Sequence, residues 1–144
     1  MRLAALVAIA LVVLFLYSYS LVVGTAYALA LLHPAWWDSM FSTRAHAALS
    51  WMVLIHSVAV LAVSLPFGYL IQRLFGRHGP SVAALMTLTI FLAFALPSSM
   101  HYFGDLPTRF KVVWIFDQIK MLAVLPLLVW AFSKLPSHRR VAPP

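Results

Sequence analysis

The chain is 144 residues long, 64% hydrophobic and only 9% charged, a composition that would oblige a soluble domain of this size to expose large apolar patches. It has no cysteine, which excludes disulfides, thiolate nucleophiles, cysteine-ligated zinc and iron–sulfur clusters and carries no information about compartment. Its net charge of +7 comes from Lys and Arg at the ends of apolar runs, without a basic stripe interleaved with aromatics, so the expected partner is an anionic lipid surface and not nucleic acid.

Between Arg2 and Asp38 there is no Asp, Glu, Lys or Arg. A bilayer core takes about 20 apolar residues of helix, so residues 3–32 are predicted to form a first transmembrane helix. Met1-Arg2, the apolar run and Ala26-Tyr27-Ala28 imitate a secretory signal peptide. The run is about twice the usual h-region length, however, and the segment is expected to remain as a membrane helix. Ser20, Gly24 and Ala28 recur at intervals of four, placing small side chains on one face where another helix can come close, within the chain or from a second chain. Pro34, Trp36 and Trp37 then suit a helix end at headgroup depth.

The next apolar runs predict spans at 45–71, 82–103 and 112–132, with a tight turn over 76–80. Pro66 and Pro126 lie inside the second and fourth spans and favour bends there. The third is unusual, because residues 82–96 cover only about 22 Å at 1.5 Å per residue. Residues 97–107 are therefore expected to finish the crossing as a kinked or partly unwound helix, or to end it in a polar cap. Irregular backbone at membrane depth has to line a cavity or be buried in protein, which makes Ser98, Ser99, His101 and Tyr102 candidates for a cavity wall. Trp114 and Trp130 stand about 24 Å apart along the fourth helix and suit its two interfaces. Alternatively, residues 108–120 could lie along the interface as an amphipathic helix.

Short loops make sequential helices antiparallel neighbours, so the predicted fold is an all-α membrane protein: one domain over 1–144, with four transmembrane helices in an up-down antiparallel bundle. Arg2, Arg73, Arg77, Lys134, Arg139 and Arg140 flank one side, against Arg44, Arg109 and Lys111 on the other. Both termini are accordingly expected to be cytoplasmic, in a bacterial inner membrane.

The acidic residues, Asp38, Asp105 and Asp117, all fall in the outer half of this topology, as do His33, His46 and His101. Polar loop residues need no more explanation than contact with water. The sharper reading is an outward-facing pocket built from His46, Ser98, His101, Tyr102, Asp105 and Arg109. His33, Asp38, His46, His101 and Asp105 could supply metal ligands but show no recognised ligand spacing. Asp117 and Lys120 lie three positions apart, below Trp114. Each charge alone would cost about 2.5–3.5 kcal/mol at the centre of a membrane helix, so the two are expected to pair and to face protein. His56, near the middle of the second span, is expected to be a satisfied core histidine bonded to Tyr17, Tyr19, Ser20 or a backbone carbonyl. Haem ligation needs a second His at matching depth, and a relay from His56 to Asp117 needs intervening donors; the sequence reveals neither.

There is no Gly-x-Ser-x-Gly elbow, no His-Glu-x-x-His, no phosphate-binding glycine loop and no glutamate. An Asp105–Asp117 dyad could in principle share a proton and activate water, but a pair drawn from only three acids is little to build on, so an enzyme is disfavoured. In size and helix count the chain is similar to small four-helix multidrug exporters. Those depend on a membrane glutamate in their first helix, where this sequence has only Tyr, Ser and Thr as polar residues. The expected function is therefore a non-enzymatic accessory or structural subunit, packing against another membrane protein or a second copy of itself. The alternative is a small transporter, or a membrane protein binding a haem, a quinone or a metal through the outer His and Asp residues. No cofactor is assigned.

Overall fold

Apolar residues fill every face of the first long run, and it forms one helix, α1 (Arg2–Leu31), in the computed structural model, which describes residues 2–31, 45–97 and 108–135. α2 (Ala45–Phe75), α3 (Gly79–Ile90) and α4 (Thr108–Lys134) follow, and no strand occurs among the described residues. Three stretches are long and apolar enough to cross a membrane: Ala4–Leu31, Leu49–Phe94 and Phe110–Lys134.

The middle stretch holds 46 residues, about 69 Å if it ran straight, more than twice a hydrocarbon core of about 30 Å. The chain folds back instead. Gly76, at φ 52°, takes the left-handed conformation that other residues adopt at a cost of about 1–2 kcal/mol, and a single 3-10 turn, Gly76–His78, leads into α3. The reversal brings Gly79 against α2, where a β-carbon would lie 2.7 Å from Gln72 Oε1 and 3.4 Å from Gln72 Cα. The third helix thus begins at Gly79, earlier than the expected 82, because the fixed φ of Pro80 suits a first helical turn.

Distortion in this helix also comes early. Phe91–Ala95 forms a π turn in which Leu96 N–H donates to Phe91 O. Pro97 follows, with no N–H to give and a ring that excludes the α-helical position of the carbonyl four residues before it. α4 exceeds the expected 112–132 at both ends and is uninterrupted across Pro126, so residues 108–120 form no separate helix.

Contacts fix the helix directions. Tyr17 of α1 meets Phe67 ring to ring at 5.3 Å and bonds Ser64, while Leu29 shares a cavity with Met52 and Val53, so α1 is antiparallel to α2. His56 meets Asp117 and Gly68 faces Leu128, which makes α2 and α4 parallel. Thr87 bonds Leu122 O and Gly79 faces Val129, so α3 is antiparallel to α4. The core lies where these helices meet, with Val13, Tyr17 and Leu21 from α1, Val60 and Ile71 from α2, Ala83, Met86 and Ile90 from α3, and Leu125 and Val129 from α4. Elsewhere large apolar side chains face outward. Phe15, Val22, Tyr27 and Phe94 are each about two-thirds exposed, an arrangement suited to lipid.

Candidate functional site

Parallel packing of α2 on α4 brings two polar pairs to the same level of an otherwise apolar interface. Asp117 and Lys120 are one turn apart on α4, and Lys120 Nζ donates to Asp117 Oδ1 at 2.5 Å. From α2, Ser57 Oγ accepts from Lys120 Nζ at 3.1 Å and donates its own proton to Val53 O at 2.6 Å. His56 Nδ1 lies 3.1 Å from Lys120 Nζ and 3.2 Å from Asp117 Oδ1. The side chains are well covered, with 9% of Lys120, 20% of His56 and 24% of Asp117 accessible. One carboxylate and one ammonium cancel, so with a neutral imidazole the cluster carries no net charge.

Proton counting gives the cluster two arrangements. An ammonium has three N–H donors. Asp117 Oδ1, Ser57 Oγ and a deprotonated His56 Nδ1 accept all three, and the imidazole proton then sits on Nε2. In the other arrangement Nδ1 keeps the proton and donates to Asp117 Oδ1, and Nε2 becomes an acceptor.

An open cavity of about 300 Å³ adjoins this cluster at the end of the molecule where α1 finishes and α2 and α4 begin. Its wall is apolar, formed by Leu29, Leu49, Met52, Val53, Phe110 and Val113 with the ring of Trp114. His56 and Asp117 supply its polar edge. A second, much smaller space of about 10 Å³, enough for one water, lies between α1, α3 and α4 beside Tyr17, Thr87 and Gln118. Gln118 Oε1 is buried and has no partner among the described residues.

This geometry corrects the expected partners of His56 and narrows two other expectations. His56 is partnered by Asp117 and Lys120 and not by Tyr17, Tyr19 or Ser20; the Tyr17 hydroxyl is taken by Ser64 Oγ at 3.0 Å. No intervening donor separates His56 from Asp117, since the two side chains touch. Trp114 lines the cavity as well as standing near a helix end. The small-residue face of α1 packs within the chain: a β-carbon at Gly24 would lie 2.8 Å from Val63 Cγ2, with Ser20 and Ala28 half-buried along the same helix.

Of the expected outer pocket, Ser98, His101, Tyr102 and Asp105 lie outside the described residues, as do His33 and Asp38, while His46 and Arg109 are placed by their backbone alone. No group of three His, Cys, Asp or Glu side chains comes together among the described residues. Ser57 and Gln118 were not anticipated. The signal for Ser57 was its place beside His56 in mid-helix, and nothing local marked Gln118.

No family model, curated protein or solved structure matches the chain. What its helices define is a class: a multi-pass membrane protein, helical throughout the described residues apart from short turns.

Proposed function

We propose that this protein crosses the membrane four times, with both termini on the cytoplasmic side of a bacterial inner membrane, and binds a small, mostly apolar molecule in the cavity beside His56. One observation carries the reading: a compact set of mutually hydrogen-bonded polar groups at the edge of an apolar space of about 300 Å³, within the range of small-molecule sites. Ionisable groups among membrane helices are expensive to keep, which favours a use for them beyond packing. The fold-back at Gly76 and the alternating helix directions support four crossings.

A second reading, the accessory subunit, draws support from α1, whose Val12, Phe15, Tyr19 and Val22 present broad apolar surface. The face around Gly24, its best docking feature, is occupied by α2 of the same chain.

One purification separates the two. Native mass measured from mild detergent should give the chain with an added mass of small-molecule size, lost in a His56→Phe variant of unchanged fold. A stoichiometric larger protein in the same preparation, with no small molecule retained, would favour the subunit instead.

A further inference from the structure

His56 Nδ1 stands between a carboxylate oxygen and an ammonium, within hydrogen-bond distance of both. A single ring nitrogen cannot donate to one and accept from the other at once. Whichever it does, the opposite property appears at Nε2. With Nδ1 accepting from Lys120, Nε2 carries a proton; with Nδ1 donating to Asp117, Nε2 carries a lone pair. The cluster therefore supports a ring nitrogen that answers either kind of ligand group without any change in net charge.

We infer that the cavity beside His56 binds the headgroup of a membrane-soluble quinone and its quinol, with His56 Nε2 donating to the carbonyl of the first and accepting from the hydroxyl of the second. The inference rests on the cavity's being a ligand site. Three further features fit this class. The wall around Met52, Val53, Val113 and Trp114 is apolar and aromatic, which suits a flat ring. The Asp117 carboxylate and the Lys120 ammonium neutralise each other, so beside a neutral imidazole the cluster has no net charge to draw in an ion. The cavity is open and not sealed, so an attached apolar tail need not be enclosed. No electron transfer is assigned to the chain; the proposal concerns recognition of both forms.

Trp114 provides the readout. The probes are 2-methyl-1,4-naphthoquinone, its quinol kept anaerobic, and the dimethyl ether of that quinol, which has neither hydroxyl proton nor carbonyl. Affinity is the half-saturation point of the change in Trp114 emission of the purified full chain, or of its reversal by a competing probe, with Trp114→Phe as the blank. The wild-type protein should bind quinone and quinol within about threefold of each other and the ether about tenfold more weakly, the effect of one or two hydrogen bonds.

Lys120→Met removes the donor that holds Nδ1 as an acceptor, so that in a neutral ring the proton moves to Nδ1, facing Asp117, and Nε2 is left with a lone pair. It should weaken the quinone about tenfold and spare the quinol. Asp117→Asn should move the ratio in the opposite direction. If that variant does not fold, Lys120→Met and the ether comparison decide the matter alone.

Equal binding of all three probes, or an unchanged quinone-to-quinol ratio in Lys120→Met, overturns the inference while leaving a ligand site in place. Absence of saturable binding for every probe overturns it as well. The ligand-site reading falls with it only if the native mass also contains no small molecule.

Discussion

Asp117→Asn should lower the stability of the purified protein by about 2–4 kcal/mol, because it leaves the Lys120 ammonium among membrane helices with no countercharge. The loss is limited by what remains: Ser57 Oγ and His56 Nδ1 can still accept from Lys120. Lys120→Met should cost less. The carboxylate left behind keeps the His56 Nδ1–H as a donor, and the methionine refills most of the space the lysine stem occupied. Because the charges act on each other, the double variant should be more stable than the sum of the two single losses predicts, by about 1–3 kcal/mol. A thermodynamic cycle built from thermal or denaturant unfolding in one detergent measures this, and strict additivity would rule the coupling out.

The second large effect is expected at Gly79, where α3 turns back onto α2. A β-carbon there would come within 2.9 Å of Val129 Cγ1 as well as 2.7 Å of Gln72 Oε1, with the backbone of Gln72 behind. The Gln72 amide end and the Val129 methyl could swing aside for a β-carbon alone, which meets Gln72 Cα at ordinary contact distance, but leucine adds three further carbons between the helices. Gly79→Leu should therefore destabilise at or beyond the upper end of the 1–3 kcal/mol usual for overpacking. Gly24→Leu should do less, since its near neighbour is one methyl of Val63, and Val63→Ala should recover part of the loss. Midpoints of thermal unfolding compare the three. Equal tolerance of leucine at both glycines would contradict the packing described for the hairpin.

Gly24 marks the boundary of what could be read from the amino-acid sequence. Its spacing with Ser20 and Ala28 predicted a close helix approach, a property of one helix face and hence local. Which helix arrives there depends on the register of α1 against α2, which no short pattern encodes. Asp117 and Lys120 follow the same logic. Three positions on a helix bring two side chains together whatever the tertiary structure, so that contact was legible. His56 lies 61 residues from Asp117 and meets it only because α2 and α4 run parallel with these turns level.

The apolar runs located the helices because hydropathy needs no partner, whereas their ends shifted with local chemistry. Pro80 set the start of α3 earlier, and the π turn at Phe91–Ala95 arose ahead of Pro97 without any residue of its own to announce it. The expected outer pocket leaned on loop residues. Among the described residues the cavity is lined by helix residues, of which Met52, Val53 and Val113 look in sequence like ordinary lipid-facing positions and Trp114 like an interface anchor.

The central claim is that the polar cluster sits beside a cavity opening on the side of the membrane opposite the termini. Since the chain contains no cysteine, single cysteines report on it without background. Val113→Cys, in the cavity wall, and Ser133→Cys, at the far end of the same helix, can be treated in intact cells and in inverted vesicles with a membrane-impermeant thiol reagent. The account predicts that Val113→Cys reacts from the outer side only and Ser133→Cys from the inner side only. Reaction of both from one side, or of Val113→Cys from the cytoplasmic side, would contradict it.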